Sequence, residues 1–345
     1  MSIITSLSYD DVLLVPQYSD IRSRKEVSLA SDLDPSKRLE IPIISSPMDT
    51  ITEATMANAI QSMGGLGVIH RYNTIEQQVD LVRRICSGRQ RHRAAAIGVS
   101  GDFLERASEL VAVGANILCL DVAHGHHVLM KEAIKKIKIL HGDSVHIMAG
   151  NVATRKGFED LAHWGADSIR CNIGGGSICS TRIQTGHGVP GLHTILDCIQ
   201  ADIRRDVKII ADGGIRNSGD IVKALAAGAD FVMIGSLLSG TKETPGDIIY
   251  HGPHNRDRRK VYRGMASKEA QFDWRGRHSS NEGVTTHVPY KGDVGNIITE
   301  LVNGIRSGLS YSGARNITEF QIKSEFIVQT PSGQAESGTH ILSSQ

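Results

Sequence analysis

The chain has 345 residues, with 38 basic and 37 acidic side chains and a formal net charge of +1. This balance gives no electrostatic footprint for nucleic acid or for an acidic membrane surface, so we expect no nucleic-acid partner, no membrane and a small-molecule ligand. The five cysteines are odd in number and show no C-x-x-C spacing, which argues against a disulfide framework and a structural zinc site. No signal-peptide pattern and no apolar run of membrane-spanning length are visible, so the predicted localisation is cytoplasmic.

Eight short apolar segments recur along the chain, and helical patterns lie between them. The segments are residues 41–45, 66–69, 94–99, 117–120, 146–149, 168–171, 208–211 and 231–234. Their lack of alternation is typical of strands buried on both faces of a parallel sheet. Apolar spacing near 3.6 residues predicts helices over 75–82, 104–111 and 221–225. Gly-Ala-Asn at 114–116 and Gly-Ala-Asp at 165–167 and 228–230 each end a helix at its usual glycine cap and begin a strand.

This alternation predicts an α/β fold, a single closed (β/α)8 TIM barrel over residues 1–345, whose site lies at the carboxyl ends of the strands. A doubly wound open sheet is the alternative, but no early G-x-G-x-x-G precedes a helix. Residues 239–293 form a long polar insertion after strand eight, which predicts a flap before a last helix near 297–305. Residues 330–345 form a small polar tail that either frays or docks onto a neighbouring subunit.

The most informative segment is residues 174–182, Gly-Gly-Gly-Ser-Ile-Cys-Ser-Thr-Arg, which follows strand six. Its glycines let backbone N–H groups approach a phosphate, Ser177 adds a hydroxyl donor, and Cys179 supplies a soft nucleophile. The alternative is a tight turn in which Cys179 is simply buried.

Other polar residues and glycines follow the remaining strands. The glycines after strands seven and eight suit a phosphate, and Asp212 beside them suits a ribose unless it is a helix N-cap. Tyr262 is either a phosphate donor or a packed tyrosine. Asn151 and Arg170 either face the mouth of the barrel or are satisfied residues at strand ends.

The segment 121–127, Asp-Val-Ala-His-Gly-His-His, invites a metal hypothesis. We discount it, because these histidines cannot all face one ion from a single helix start and no second cluster is evident. Hydrogen bonding or cofactor contact is the favoured interpretation, and Asp121 could hold a nicotinamide ribose.

Motifs along nearly the whole chain resemble those of the IMP dehydrogenase/GMP reductase family. They include Ser-Tyr-Asp-Asp-Val-Leu-Leu-Val-Pro at 8–16 and Ser-Ser-Pro-Met-Asp at 45–49, with further matches at 67–71, 120–125, 149–152, 174–182, 210–215, 262–265 and 290–292. The resemblance implies a purine nucleotide, GMP or IMP, whose C2 is attacked by Cys179, with hydride exchange at a stacked nicotinamide.

By position, the resemblance also assigns roles to the other motif residues. The implied substrate-binding residues, for phosphate, ribose and base, are Ser46, Met48, Ser177, Asp212, Gly213, Gly214, Gly235, Ser236, Tyr262, Gly264 and Met265. The implied cofactor-binding residues are Asp121, Ala123, His124, Asn151 and Arg170. A monovalent cation such as K⁺ would bind carbonyls of Gly174, Gly176 and Cys179, completed by residues 336–338 of a neighbour in a homotetramer.

The two reactions of the family differ in the fate of the covalent intermediate. For a dehydrogenase, the resemblance implies an Arg-Tyr pair on the flap and commonly an inserted CBS domain. This chain passes directly from residue 86 to residue 92, where that domain would be inserted, and residues 266–281 contain no Arg-Tyr pair. The reductase implies a proton relay, which we assign to Thr181 and Glu282, although a helix-capping threonine and a solvated glutamate are the alternatives.

The favoured prediction is therefore NADPH-dependent conversion of GMP to IMP and ammonia. The first alternative is NAD-dependent oxidation of IMP to XMP, with Arg275 or Arg277 replacing the usual base. The second is a nucleotide-binding protein without catalysis, which has no need of the Cys179 thiol.

Overall fold

The computed structural model describes residues 3–86, 92–203, 206–252, 257–277 and 281–339. Within these ranges the strands are β1 Val12–Leu14, β2 Ser31–Asp34, β3 Lys37–Leu39, β4 Ile43–Ser45, β5 Leu66–Ile69, β6 Ala94–Ile97, β7 Ile117–Asp121, β8 His146–Val152, β9 Ser168–Cys171, β10 Lys208–Asp212, β11 Phe231–Ile234, β12 Ile249–His251, β13 Asp257–Arg263, β14 Thr285–Pro289 and β15 Phe326–Val328.

The helices alternate with the strands through most of the chain. They are α1 Ala54–Ser62, α2 Ile75–Arg83, α3 Phe103–Ala112, α4 Val128–His141, α5 Arg155–Trp164, α6 Thr181–Thr185, α7 Gly191–Cys198, α8 Ser218–Ala226, α9 Lys268–Arg275, α10 Val294–Tyr311, α11 Ile317–Lys323 and α12 Pro331–Glu336. The helices predicted from apolar spacing correspond to α2, α3 and α8 and are confirmed. None of the described helices is long and apolar enough to cross a membrane.

Strands β4 to β11 are parallel and close into a barrel, with β11 paired back to β4. The predicted (β/α)8 fold is confirmed, and the eight apolar segments are its strands. Some bounds differ: β4 begins at Ile43, β6 ends at Ile97, and Asp121 and Asp212 are the last residues of their strands rather than residues that follow them.

Alternate residues of the barrel strands face two different cores, which explains why the segments are apolar on both faces. One set, including Ile44, Cys119, Ile210 and Met233, forms the barrel interior. The other set packs against the surrounding helices. Such burial is the main stabilising contribution, at about 1.5–3 kcal/mol for each large apolar side chain.

A hairpin of β2 and β3 closes the amino-terminal end of the barrel. Leu33 and Leu39 of this hairpin belong to the interior core. Asp34 Oδ2 lies 2.8 Å from His146 Nδ1 and accepts a hydrogen bond from Lys37 Nζ at 2.9 Å. The floor of the barrel is therefore held by apolar packing and by a partly buried ion-pair network.

At this amino-terminal end of the barrel, the Gly-Ala-Asx repeats join neighbouring strands through side-chain hydrogen bonds. Asp167 accepts a hydrogen bond from the Ile147 backbone N–H, and Asp230 accepts one from Ile209, both at 2.8 Å. Asn116 accepts one from the Arg93 N–H at 2.9 Å. The third residue of each repeat thus ties its strand to the start of the preceding one, a role that the glycine-cap interpretation did not include.

The segment predicted as a flap has its own secondary structure. Strands β12, β13 and β14 form an antiparallel sheet, and α9 lies between β13 and β14. The predicted last helix near 297–305 is the longer α10, which α11 follows. Strand β15 pairs antiparallel with β1, and the short helix α12 begins the predicted tail, of which residues 340–345 lie outside the described ranges.

Candidate active site

A cavity of about 390 Å³ opens at the carboxyl ends of the barrel strands. Its lining brings together all predicted catalytic and substrate-binding residues, namely Cys179, Thr181, Glu282, Ser46, Met48, Ser177, Asp212, Gly213, Gly214, Gly235, Ser236, Tyr262, Gly264 and Met265. Of the predicted cofactor-binding residues, Asp121, Ala123, Asn151 and Arg170 line it, whereas the exposed His124 does not.

Glycines and hydroxyl groups form one end of this cavity. Gly213 has φ +82°, a left-handed backbone conformation that favours glycine, and it lies in contact with Gly176 of the cysteine loop. Ser177 Oγ lies 3.3 Å from Tyr262 Oη. Burial raises the pKa of the Tyr262 phenol, which therefore remains a protonated donor at neutral pH. Backbone N–H groups and neutral hydroxyls suit an anion.

Arg170 joins two carboxylates across the barrel mouth. Its Nη1 donates to Asp121 Oδ1 at 2.6 Å, and its Nε and Nη2 donate to Asp212 Oδ2 at 3.0 and 2.8 Å. Asn151 Nδ2 donates to the same Asp212 oxygen at 2.8 Å. The Asp212 Oδ1 atom has no hydrogen bond among the described residues and is available to a ligand.

The charge of Arg170 outweighs the effect of burial on its partner. Burial alone raises the pKa of Asp121, but Arg170 and then Arg71, 3.5 Å away, bring it below the ordinary value. Asp121 and Asp212 are the last residues of β7 and β10. The helix that follows Asp212, α8, is capped by Asn217, so the N-cap alternative for Asp212 is wrong.

Cys179 lies in a partly exposed loop that is paired with the flap. Its Sγ lies 3.1 Å from Thr181 Oγ1. The Ser180 N–H donates to the Glu282 carbonyl at 3.0 Å, the Val284 N–H donates to the Ile178 carbonyl at 3.1 Å, and Cys179 forms a bridge with Gly283. The return segment of the flap, residues 282–284, is thus held against the cysteine loop, and Cys179 is not a buried core residue.

Thr181 and Glu282 both line the cavity beside this thiol. Thr181 is the first residue of α6, and its hydroxyl contacts Cys179 rather than capping the helix. No hydrogen bond between Thr181 and the Glu282 side chain is present among the described residues. A relay between them requires a small movement, a bridging water or the ligand itself.

A charged chain of contacts links the flap to the barrel, and the sequence reasoning missed it. Arg263, the last residue of β13, donates to Asp49 Oδ2 at 2.9 and 2.6 Å and to Asp273 Oδ2 at 2.5 Å. The Asp49 N–H donates to Met265 Sδ at 3.3 Å. Asp49 lay within a quoted motif, but nothing in the sequence pointed to its flap partner.

The histidines after β7 have protein partners. His126 Nε2 lies 2.8 Å from Asp160 Oδ2, and His127 Nδ1 accepts from the Leu129 N–H at the start of α4. No group of three or more metal-ligating side chains occurs in the described ranges. The monovalent-cation site expected at the carbonyls of Gly174, Gly176 and Cys179 stays a prediction. The Gly176 carbonyl already accepts from the Cys179 N–H at 3.1 Å, which leaves it one further lone pair.

A closed (β/α)8 barrel whose mouth cavity is lined by glycines, hydroxyl groups and an accessible cysteine is an arrangement typical of a barrel enzyme. Comparison with known proteins specifies the class further. The sequence model of the IMP dehydrogenase / GMP reductase domain matches residues 6–340.

Named relatives include both enzymes of that domain. The chain is 37% identical to the inosine-5'-monophosphate dehydrogenase of Borreliella burgdorferi, over 97% of this chain and 96% of the relative. It is 31% identical to the GMP reductase of Leishmania major, over 98% and 97%. The structure of a Cys-to-Ala variant of GMP reductase from Trypanosoma brucei in complex with guanosine 5'-monophosphate superposes with a TM-score of 0.91, at 32% identity and 98% coverage of both chains. The chain therefore belongs to the IMP dehydrogenase/GMP reductase family of oxidoreductases.

Proposed function

We propose that this protein is an NADPH-dependent GMP reductase that converts GMP to IMP and ammonia. The observation that carries the proposal is the contact between Cys179 Sγ and Thr181 Oγ1, 3.1 Å apart in a cavity that Glu282 also lines. A thiol beside a hydroxyl that can relay a proton suits displacement of an amine, which must be protonated as it leaves.

In this scheme the Cys179 sulfur bonds to purine C2, and the C2–N bond breaks as the amino group takes a proton and leaves as ammonia. Thr181 passes that proton from Glu282. A bound nicotinamide would supply the hydride that C2 needs. Cys179 leaves C2 as the thiolate when the C–S bond breaks, which releases IMP. Ser177, Gly214, Gly235, Ser236 and Tyr262 hold the phosphate, Asp212 holds the ribose through its free oxygen, and Met48 and Met265 flank the base.

Asp121 and Ala123, which line the same cavity, would hold the nicotinamide riboside. Arg170 would orient Asp121 and Asp212, and Asn151 would orient Asp212. Which dinucleotide binds is part of the proposal: we infer NADPH for the reductase and NAD for the alternative. We also propose K⁺ at the Gly174–Cys179 loop, a homotetramer and a cytoplasmic location.

The dehydrogenase alternative has one specific observation in its favour. Arg275 lines the same cavity as Cys179, whereas Arg277 does not. However, residues 266–281 contain no tyrosine that could pair with this arginine. The length of sequence inserted relative to this chain does not distinguish dehydrogenase from reductase. The alignment with the Borreliella dehydrogenase covers 396 positions, whereas that with the Leishmania reductase covers 480.

Incubating the protein with GMP plus NADPH, and separately with IMP plus NAD, tests the proposal. Loss of absorbance at the reduced-nicotinamide band with ammonia release is expected in the first reaction. Turnover of IMP and NAD without turnover of GMP would overturn it, and binding of GMP with no turnover of either pair would favour the non-catalytic alternative.

A further inference from the structure

An aromatic stack joins the flap helix to the barrel. The rings of Tyr72, between β5 and α2, and Trp274, on α9, lie 4.3 Å apart at 13°. The guanidinium of Arg71 lies 5.3 and 5.5 Å from the two ring centres, and that of Arg275 lies 4.3 Å from the Trp274 ring. Stacked rings and cation–π contacts are individually modest attractions, enough to favour one position of a helix but not to lock it.

Few side chains of α9 are buried. In this helix, all of which is described, the buried residues are Ala270 and Gln271, whereas Phe272 is 61% exposed. Asp273 reaches the barrel indirectly, through Arg263 and its contacts with Asp49. The stack of Trp274 on Tyr72 is the direct contact that positions the carboxyl end of α9 against the barrel.

That position affects the chemistry because residues 282–284 contact both the flap and the cysteine loop. The Gly264 N–H, just before α9, donates to the Val284 carbonyl at 3.1 Å, while Glu282 and Gly283 pair with Ser180 and Cys179. A movement of the flap at Trp274 therefore acts, through this pairing, on the segment that carries the Glu282 carboxyl.

The stack also lies between two cavities. Tyr72 and Arg275 line the cavity that contains Cys179, and both, with Trp274, line a second cavity of about 660 Å³. Arg71 belongs to both cavities and lies 3.5 Å from Asp121, on the side where the cofactor is proposed to bind. A ligand that binds beside Asp121 would therefore lie close to Arg71, which in turn contacts the rings of Tyr72 and Trp274.

We propose that Tyr72 and Trp274 are positioning residues: their stack is the latch that holds the flap closed, and Arg71 couples it to occupancy of the Asp121 side of the cavity. The coupling to a cofactor rests on the proposed function. The latch itself does not, because it follows from the contacts of α9.

The test uses tryptophan fluorescence and steady-state kinetics on the full chain. The sequence has two tryptophans, and Trp164 lies on α5, away from the flap, so W164F leaves Trp274 as the reporter. In this background, Tyr72→Leu removes the ring, and Tyr72→Phe keeps the ring without the hydroxyl. Acrylamide quenching is measured with GMP alone and with GMP plus NADP⁺, and kcat and KM are measured for whichever substrate pair turns over.

Tyr72→Leu should raise the acrylamide quenching constant of Trp274 at least twofold and abolish its protection by the dinucleotide. It should also lower kcat/KM for the dinucleotide about tenfold, while changing the dissociation constant of GMP less than twofold. Tyr72→Phe should restore both properties to within about twofold. Equal effects of Leu and Phe, or unchanged kcat/KM in a variant whose Trp274 has become accessible, would overturn the latch. If only IMP and NAD turn over and the Leu and Phe variants still differ, the proposed function fails and the latch stands.

Discussion

Replacing Arg170 by methionine tests the electrostatic account of the barrel mouth. The side chain of Arg170 is 8% exposed, and it donates three hydrogen bonds to Asp121 and Asp212. Methionine has a similar apolar length but no charge, so two carboxylates would remain with only Arg71 nearby. Breaking a buried ion pair by removing one partner costs about 3–5 kcal/mol, and we expect a loss of this size in the free energy of unfolding at pH 7.5.

The loss should depend on pH with a definite sign. Because Arg170 holds the pKa of Asp121 below its ordinary value, the pair stabilises the fold above the unfolded pKa of about 3.9, and this stability declines as the pH falls through that range. In the variant, only Arg71 still opposes the effect of burial on the pKa of Asp121, so its carboxylate takes up a proton at a higher pH than in the wild type. The difference between variant and wild type should therefore shrink at low pH.

Urea unfolding at pH 7.5 and pH 5 measures both effects. Arg38→Met is the matched control, because Arg38 pairs with Asp32 at the surface with both side chains more than half exposed, and its loss should be under about 1 kcal/mol. The double variant with Asp121→Asn should recover part of the loss. A change below about 1 kcal/mol for Arg170→Met, or one that does not vary with pH, would refute the reasoning.

Three further predictions concern the proton relay and the barrel floor. Thr181→Val should lower kcat for GMP about 100-fold with little change in GMP affinity, whereas Thr181→Ser should retain most activity; stopped-flow assays and calorimetry decide, and equal loss in both variants would make Thr181 structural. Glu282→Gln should slow ammonia release far more than it weakens nucleotide binding, and parallel losses would remove Glu282 from the chemistry. Burial raises the pKa of Asp230 to about 6, so stability is lost progressively as the pH rises from the unfolded pKa of about 3.9 through that value, and the loss is complete above it. Asp230→Asn, which copies Asn116 of the first repeat, should stabilise the protein by about 1 kcal/mol at pH 7.5 and by nothing at pH 4, and destabilisation at pH 7.5 would contradict the assignment.

The barrel itself could be predicted because its strands face two apolar cores. Each strand therefore appears in the sequence as a short, continuous apolar run. The hairpin of β2 and β3 could not, because Ser31–Asp34 and Lys37–Leu39 are mostly polar and their two leucines gain an apolar environment only when the barrel closes above them. The flap sheet was missed for a related reason: Asp257–Arg263 carries four basic residues, a poor strand signal outside its tertiary context.

At the site, residue types were predicted more successfully than their partners. Glycines, a serine and a cysteine in one loop indicate a site by local composition. In contrast, Arg170 bridges Asp121 and Asp212 from three different strands, and no spacing in the sequence shows that these side chains meet. The contact of Tyr72 with Trp274 spans two distant segments and has no sequence signal at all.

The central claim is that the Cys179 sulfur bonds to the purine ring during turnover. It is tested most directly by quenching the reaction of GMP with the enzyme in acid within milliseconds and analysing the peptides by mass spectrometry. The account predicts a transient adduct on the peptide that contains Cys179, equal in mass to GMP less ammonia, and no adduct and no turnover with Cys179→Ala, which should still bind GMP. Sustained turnover by Cys179→Ala, or an adduct on any other residue, would contradict it.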